Sequence, residues 1–360
     1  MTTPNAGASN AGASSDGPPP GALMAAEIAE QPGALQRLLD DGISAVREVA
    51  DRVARRRPRF VLLTARGTSD HAALYAKYLI EITLGLPAGL ASPSTLTTYG
   101  SRPDLSDVLW IAVSQSGGSP DLVDSTTAAR SCGALTMAVT NASESPLAQA
   151  CELNLDVLAG RERAVAATKS YTNQLLALYL LIDLWGGGDA GAAQPLPGLA
   201  ADVLQKDAGA EVAPRYRFVE RLVVTARGYA YATAREAALK MMETSYLSAH
   251  AFSGADLMHG PLAMIDADRP VIAVVPRGLG GTALAPVLER LRDRNADLLI
   301  VGDLQAAPWA AAAASLPLTD ERVGPVLQIL PLQQMAHAMA VARRYDPDAP
   351  RGLNKITETR

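Results

Sequence analysis

The sequence predicts an α/β protein made of two successive units, each a parallel sheet flanked by helices. Three observations predict it. Residues 60–63, an apolar run, lead into Thr64-Ala65-Arg66-Gly67, and residues 222–224 lead into Thr225-Ala226-Arg227-Gly228, so the same strand-to-turn unit occurs twice. Each copy is followed by an Ala-rich stretch of helical period and then a second apolar run, at residues 108–113 in one half and 271–275 in the other. A third run follows at nearly the same offset, residues 135–139 and 298–301. Short apolar strands alternating with helices are what a parallel sheet covered on both faces requires.

The chain has 360 residues, 48% hydrophobic and 19% charged, enough to bury two ordinary cores. Residues 1–22, rich in Ala, Gly, Ser, Asn and Pro, lack the basic start and apolar run of a secretion signal and read as a disordered tail. The first unit is expected over 23–190. Gly186-Gly187-Gly188 and the Pro/Ala-rich stretch after it mark a flexible joint, with the linker at 191–199. The second unit is expected over 200–345, beginning with a helix near Ala200, and a C-terminal tail over 346–360.

Net charge is -5, so no global positive field draws nucleic acid or an acidic membrane, and an anionic ligand needs a local cradle. Cys132 and Cys151 have neither CxxC nor metal-ligand spacing, which predicts a reduced, cytoplasmic chain without disulfides. No apolar run approaches the roughly 20 residues of a membrane span.

One such cradle follows the strand ending at Val113: Ser114-Gln115-Ser116-Gly117-Gly118-Ser119-Pro120-Asp121, then a helical run through Arg130. Free N–H groups and the positive dipole end of a helix start favour an anion, and small hydroxyls add donors. A plain helix cap at Ser119 with a glycine turn would look similar. The matching position in the second half, Pro276-Arg277-Gly278, has lost the hydroxyls, so the fold itself does not require the serines. Thr68 and Ser69, after the first repeated turn, should face the same crevice at the carboxyl ends of the strands.

Glu236, Lys240 and Glu243 stand at i, i+4 and i+7 on a helical stretch, on one face. On a solvated helix such a triplet is ordinary stabilising charge, worth about a few tenths of a kcal/mol per pair. This helix is otherwise mostly Ala, Leu, Met and Tyr, which predicts that the stripe faces a cleft where a carboxylate can serve as a base. His259, directly before Gly260-Pro261, is the best-placed of four histidines; His71, His250 and His337 read as structural residues. No histidine pair has metal-ligand spacing with a carboxylate, so no metal is expected.

These blocks resemble a known family. From Glu27-Ile28-Ala29-Glu30-Gln31-Pro32 through Arg66-Gly67-Thr68-Ser69, Ser114-Gln115-Ser116-Gly117, residues 165–172, residues 236–246 and 257–262, to Arg351-Gly352-Leu353-Asn354-Lys355, the chain is similar to the tandem sugar isomerase (SIS) domain proteins. It resembles the isomerase half of glucosamine-6-phosphate synthase and its stand-alone relatives, including deaminases. The resemblance implies two SIS domains of flavodoxin-like, doubly wound topology, the first binding phosphate and the second carrying the acid-base helix. It implies that Ser69, Ser114, Gln115, Ser116 and Ser119 hold a sugar phosphate, with Thr68 beside them. It implies further that Glu243 moves a proton between C1 and C2, that His259 opens the sugar ring from a neighbouring subunit of a homodimer, and that Lys355 meets the open-chain carbonyl. Glu236 and Lys240 would tune the site, and no cofactor is needed.

The chain departs from the synthase in two places. It starts Met1-Thr2-Thr3 with no room for a glutaminase domain, so glutamine is not expected as nitrogen source. Ala167 stands where the synthase has a sugar-contacting serine, which removes a hydroxyl from the binding wall. The leading expectation is therefore a glucosamine-6-phosphate deaminase giving fructose 6-phosphate and ammonia. The alternatives are a dehydratase or lyase expelling the C3 substituent of N-acetylglucosamine 6-phosphate or a related sugar, and a sugar-phosphate sensor.

Overall fold

The strand-helix alternation of the two repeats is present in the computed structural model, which describes residues 18–355. In the first half, α1 (Ala22–Ala29), α2 (Gln31–Arg37) and α3 (Ile43–Arg56) precede β1 (Phe60–Thr64), α4 (Thr68–Leu79), β2 (Ala88–Leu90) and α5 (Pro93–Thr97). Then come β3 (Val108–Ser114), α6 (Pro120–Ser131), β4 (Leu135–Thr140), α7 (Pro146–Ala150), β5 (Leu153–Asp156) and the long α8 (Lys169–Trp185). The second half runs α9 (Leu196–Lys206), α10 (Ala208–Val212), β6 (Arg221–Ala226), α11 (Ala230–Ser245), β7 (Ser248–Ser253) and α12 (Gly254–Met258). It finishes with β8 (Val271–Val275), α13 (Leu279–Asp293), β9 (Leu298–Gly302), β10 (Ala312–Ser315) and α14 (Gly324–Ala342).

Both sheets have five strands, all parallel, in the orders β2-β1-β3-β4-β5 and β10-β9-β8-β6-β7. Counted within its own half, the second order is the first read backwards, so the repeats share one topology. In an open doubly wound sheet a ligand crevice lies beyond the carboxyl ends of the strands where the order reverses. Here that point is between β1 and β3.

Along β3, Leu109, Ile111 and Val113 face one apolar cluster while Trp110 and Ala112 face another, the period-two pattern of a strand buried on both sides. The first cluster also takes in Leu222, Val224, Ile272 and Val274 of the second sheet and the helices between the two sheets. Two separate cores were expected; instead the inner faces share one core and each sheet keeps a smaller outer one. Alanine explains the merger. Ala230, Ala234, Ala237 and Ala238 of α11 are all buried, and with so little side chain α11 packs closely on α4 and α14.

The stretch 191–199, read as a flexible linker, is a short 3-10 turn followed by the first turn of α9, with Ala193 and Leu196 fully buried. Its apolar residues find partners because α9 packs on α2 and α14. Of the tail read as disordered, residues 1–17 lie outside the described residues. Gly21, by contrast, donates its N–H to Asp346 (3.0 Å), while Leu23 and Met24 donate to the two oxygens of Asp348 (both 2.8 Å). Those carboxylates complement the positive end of α1. Of the expected C-terminal tail, residues 356–360 also lie outside the described residues. Among the described residues, no helix is long and apolar enough to cross a membrane.

Candidate active site

β1 and β3 end side by side, and the turns that leave them form one wall of a cavity of about 340 Å³. Gly67 (φ 55°) lets the chain turn from β1 into α4, which brings Thr68 and Ser69 to this wall. After β3 the loop 115–119 turns at Gly117 (φ 61°), where any Cβ would collide with Ser145. Ser114 Oγ accepts the Gly117 N–H (3.1 Å) and Ser116 Oγ accepts that of Gly118 (3.3 Å), which fixes the loop. Ser114, Gln115, Ser116 and Ser119 all line the cavity. Ser119 stands at the N-cap of α6, but its hydroxyl accepts no helix N–H; the oxygen is buried without a partner among the described residues. A buried hydroxyl of that kind is costly unless something bonds to it.

Arg66 also lines the cavity, a residue the sequence reading passed over. Its guanidinium pairs with Asp121, the buried carboxylate in the first turn of α6. Without that cation, Asp121 would oppose an anion at the same helix start.

On α11 the three charged residues share a face, as their spacing predicts, but only Glu243 reaches the cavity. Glu236 and Lys240 are 0% and 1% exposed. The stripe points at α4 of the first half instead of an open cleft, because α11 packs there. Thr68 Oγ1 donates to Glu236 (3.1 Å) and accepts from Lys240 (3.0 Å). Lys240 Nζ lies 3.3 Å from Glu236 and 2.5 Å from Glu243 Oε2. Burial by itself would favour loss of the Lys240 proton; Glu236 and Glu243 outweigh it and hold the ammonium well above its ordinary range. His71, read as structural, joins this network with Nδ1 2.7 Å from Glu236. His250 lies exposed on β7, and His259 is exposed just past α12, outside the cavity wall.

The remaining wall comes from the loop 161–168 and the C-terminal segment, which contribute Val165, Ala167, Leu353, Asn354 and Lys355. Lys355 Nζ donates to Glu162 (3.0 Å) and to the Ala164 carbonyl (2.6 Å). From the other side, Glu27 of α1 accepts the N–H groups of Arg163 and Ala164. Ser69, Ser114, Gln115, Ser116, Ser119, Thr68, Ala167, Glu243 and Lys355 are thus brought together, Glu236 and Lys240 stand behind them, and His259 is elsewhere.

The second half treats its equivalent helix start differently. Gly278 and α13 follow β8, and there Glu321 accepts the N–H groups of Leu279 (3.0 Å) and Gly280 (2.8 Å). A carboxylate of the chain itself occupies the place that the serine loop leaves open in the first half.

Two doubly wound sheets with one hydroxyl-lined cavity at a switch point define the class. Residues 56–184 and 217–342 match the SIS domain, and the chain belongs to that family. It is 33% identical over 342 residues to the glutamine--fructose-6-phosphate aminotransferase [isomerizing] of Methanothermobacter thermautotrophicus, a match covering 92% of this chain and 57% of that protein. The chain therefore spans little more than half the length of the curated relative. A structure from Silicibacter pomeroyi DSS-3, described as a phosphosugar isomerase, has a TM-score of 0.83 at 34% identity, covering 90% of this chain and 99% of the other. The glucosamine-6-phosphate deaminase of Thermotoga maritima shares the fold, with a TM-score of 0.77 at 22% identity over 94% of this chain and all of the other.

Proposed function

We propose that the chain is an isomerase-type enzyme of amino-sugar phosphates, and specifically a glucosamine-6-phosphate deaminase. The observation that carries this reading is that the Glu243 carboxylate lines the same cavity as the serine loop, with the Lys240 ammonium 2.5 Å behind it. A phosphate seated on Ser69, Ser114, Gln115, Ser116 and Ser119 leaves the far end of an open six-carbon chain to Glu243 and Lys355. Fixing one end and placing a base at the other is the positioning that proton transfer needs.

In this mechanism Glu243 removes the C2 proton of the open-chain aldehyde and returns it to C1, leaving a C2 imine. Water adds to the imine and ammonia departs, giving fructose 6-phosphate. Lys355 donates to the C1 oxygen, while Glu236 and Thr68 hold Lys240 in place. Ring opening falls to His259 of a second copy in a homodimer, which fits its exposed position away from its own cavity.

Incubation with glucosamine 6-phosphate is expected to release ammonia and fructose 6-phosphate in equal amounts, and Glu243→Gln to slow this by about 10³-fold. Full activity in that variant would overturn the assignment of the base. An ultraviolet-absorbing product from N-acetylglucosamine 6-phosphate alone would make the enzyme a lyase, and binding without turnover of either sugar would make it a sensor.

A further inference from the structure

Glu162, three residues before Val165, has its side chain fully buried beside the cavity wall. A carboxylate in that position must be paired and hydrogen-bonded to be tolerated. It accepts four bonds: from the Thr168 amide (2.9 Å), the Ser170 amide (3.1 Å), the Ser170 hydroxyl (2.7 Å) and the Lys355 ammonium (3.0 Å). Burial pushes its pKa up, but Lys355, the Ser170 hydroxyl and the two amides prevail and hold it below the usual carboxylate range.

Three of those bonds come from the start of α8; a neutral amide could accept the two N–H groups on one oxygen and donate to the Ser170 hydroxyl from its nitrogen. The charge is needed only by the fourth. Lys355 lies 193 residues away in the C-terminal segment, where Leu353 and Asn354 are exposed beside it. Among the described residues, the segment after Arg351 reaches the body of the protein by hydrogen bonds only through Lys355, to Glu162 and Ala164. The Ala164 peptide is itself fixed, because its N–H donates to Glu27 (3.2 Å) while its carbonyl takes Lys355.

We propose that Glu162 is the positioning residue of this site: its buried carboxylate draws Lys355 in from the C-terminal segment, completing the cavity wall and aiming the ammonium at the substrate's carbonyl end. The part concerning substrate rests on the reaction proposed above; the part concerning the segment does not. Glu162 acts through Lys355 and does not touch substrate. Among the described residues, none of the loop 114–119 makes a hydrogen bond to Glu162 or Lys355.

The test is Glu162→Gln in the full chain, which keeps one oxygen to accept the Thr168 and Ser170 amides, turns the other into an NH2 that the Ser170 hydroxyl can accept from, and removes the charge. Hydrogen exchange of peptides spanning residues 346–360 is expected to quicken, while peptides spanning 112–122 keep their protection. With glucosamine 6-phosphate, kcat is expected to fall by about 10²-fold, the scale of a misplaced catalytic group, with KM nearly unchanged. Glu162→Asp, which keeps the charge one methylene further back, should recover part of both, and it also serves if the glutamine variant does not fold. Unchanged exchange over 346–360 in Glu162→Gln would overturn the proposal. A parallel loss of thermal stability and of protection throughout the chain would also overturn it, since that is what a purely structural residue would show. If the unmodified protein turns over neither sugar, the reaction assignment fails, and the exchange result alone still decides the role of Glu162.

Discussion

Glu27 and Glu162 hold the two ends of one loop, and their titrations run in opposite directions. Burial raises the pKa of Glu27; the Arg163 amide pulls it back, and the neighbouring Glu162 carboxylate adds to the rise. A raised carboxylate contributes stability that is fully present below its unfolded value of about 4.3 and is lost as pH rises through the higher folded value. Glu27→Gln keeps the acceptor for the Arg163 and Ala164 amides and does not titrate. In urea titrations its stability relative to the parent should therefore improve as pH rises from about 4, then level off. A difference that is flat across this range would refute the role given to Glu27. Residues of this kind were the least legible in the sequence. That Glu243 and the serine loop would line a cleft could be expected from local spacing, whereas Glu162, Arg66 and His71 take their places from partners 55 to 193 residues away. The same distance explains why Glu236 and Lys240 were expected in an open cleft: the helix period gives the face but not what covers it.

At the scale of elements, the two halves solve one problem in two ways. α6 and α13 both start at the carboxyl end of a central strand with unpaired N–H groups and a positive dipole end. α6 leaves its start open to the cavity, and α13 satisfies its own with Glu321, 41 residues downstream of Gly280. That the second-half turn lacks hydroxyls could be seen in Pro276-Arg277-Gly278. What fills it could not, because nothing near Glu321 in sequence marks it as a cap. Glu321→Ala is expected to lower stability by about 1 kcal/mol, the value of a lost helix cap, and to leave turnover unchanged because Glu321 is not part of the cavity wall. A urea titration and an activity assay on one preparation test both statements, and a large loss of turnover would show that the halves are coupled through this helix.

For the whole molecule, the tandem repeat, the parallel sheets and the switch-point crevice were all readable from apolar runs recurring at matched offsets. The merging of two cores into one was not, since the alanines of α11 show only that a neighbour comes close. The proposed homodimer makes a prediction at this scale. Separately purified His259→Asn and Glu243→Gln proteins should each be nearly inactive, and together, after subunit exchange, regain up to about a quarter of the parent activity, because one site in a mixed dimer has both groups intact. No recovery after verified exchange would place ring opening within a single chain. The bonds from Asp346 and Asp348 to the first turn of α1 join residues 324 and 325 positions apart. At ribosomal speeds of about 5–20 residues per second, α1 leaves the ribosome tens of seconds before these partners exist. For that interval the helix carrying Glu27 has no cap at its start and the loop 161–168 has no Lys355 against it, so the site is among the last regions of the protein to be finished during synthesis.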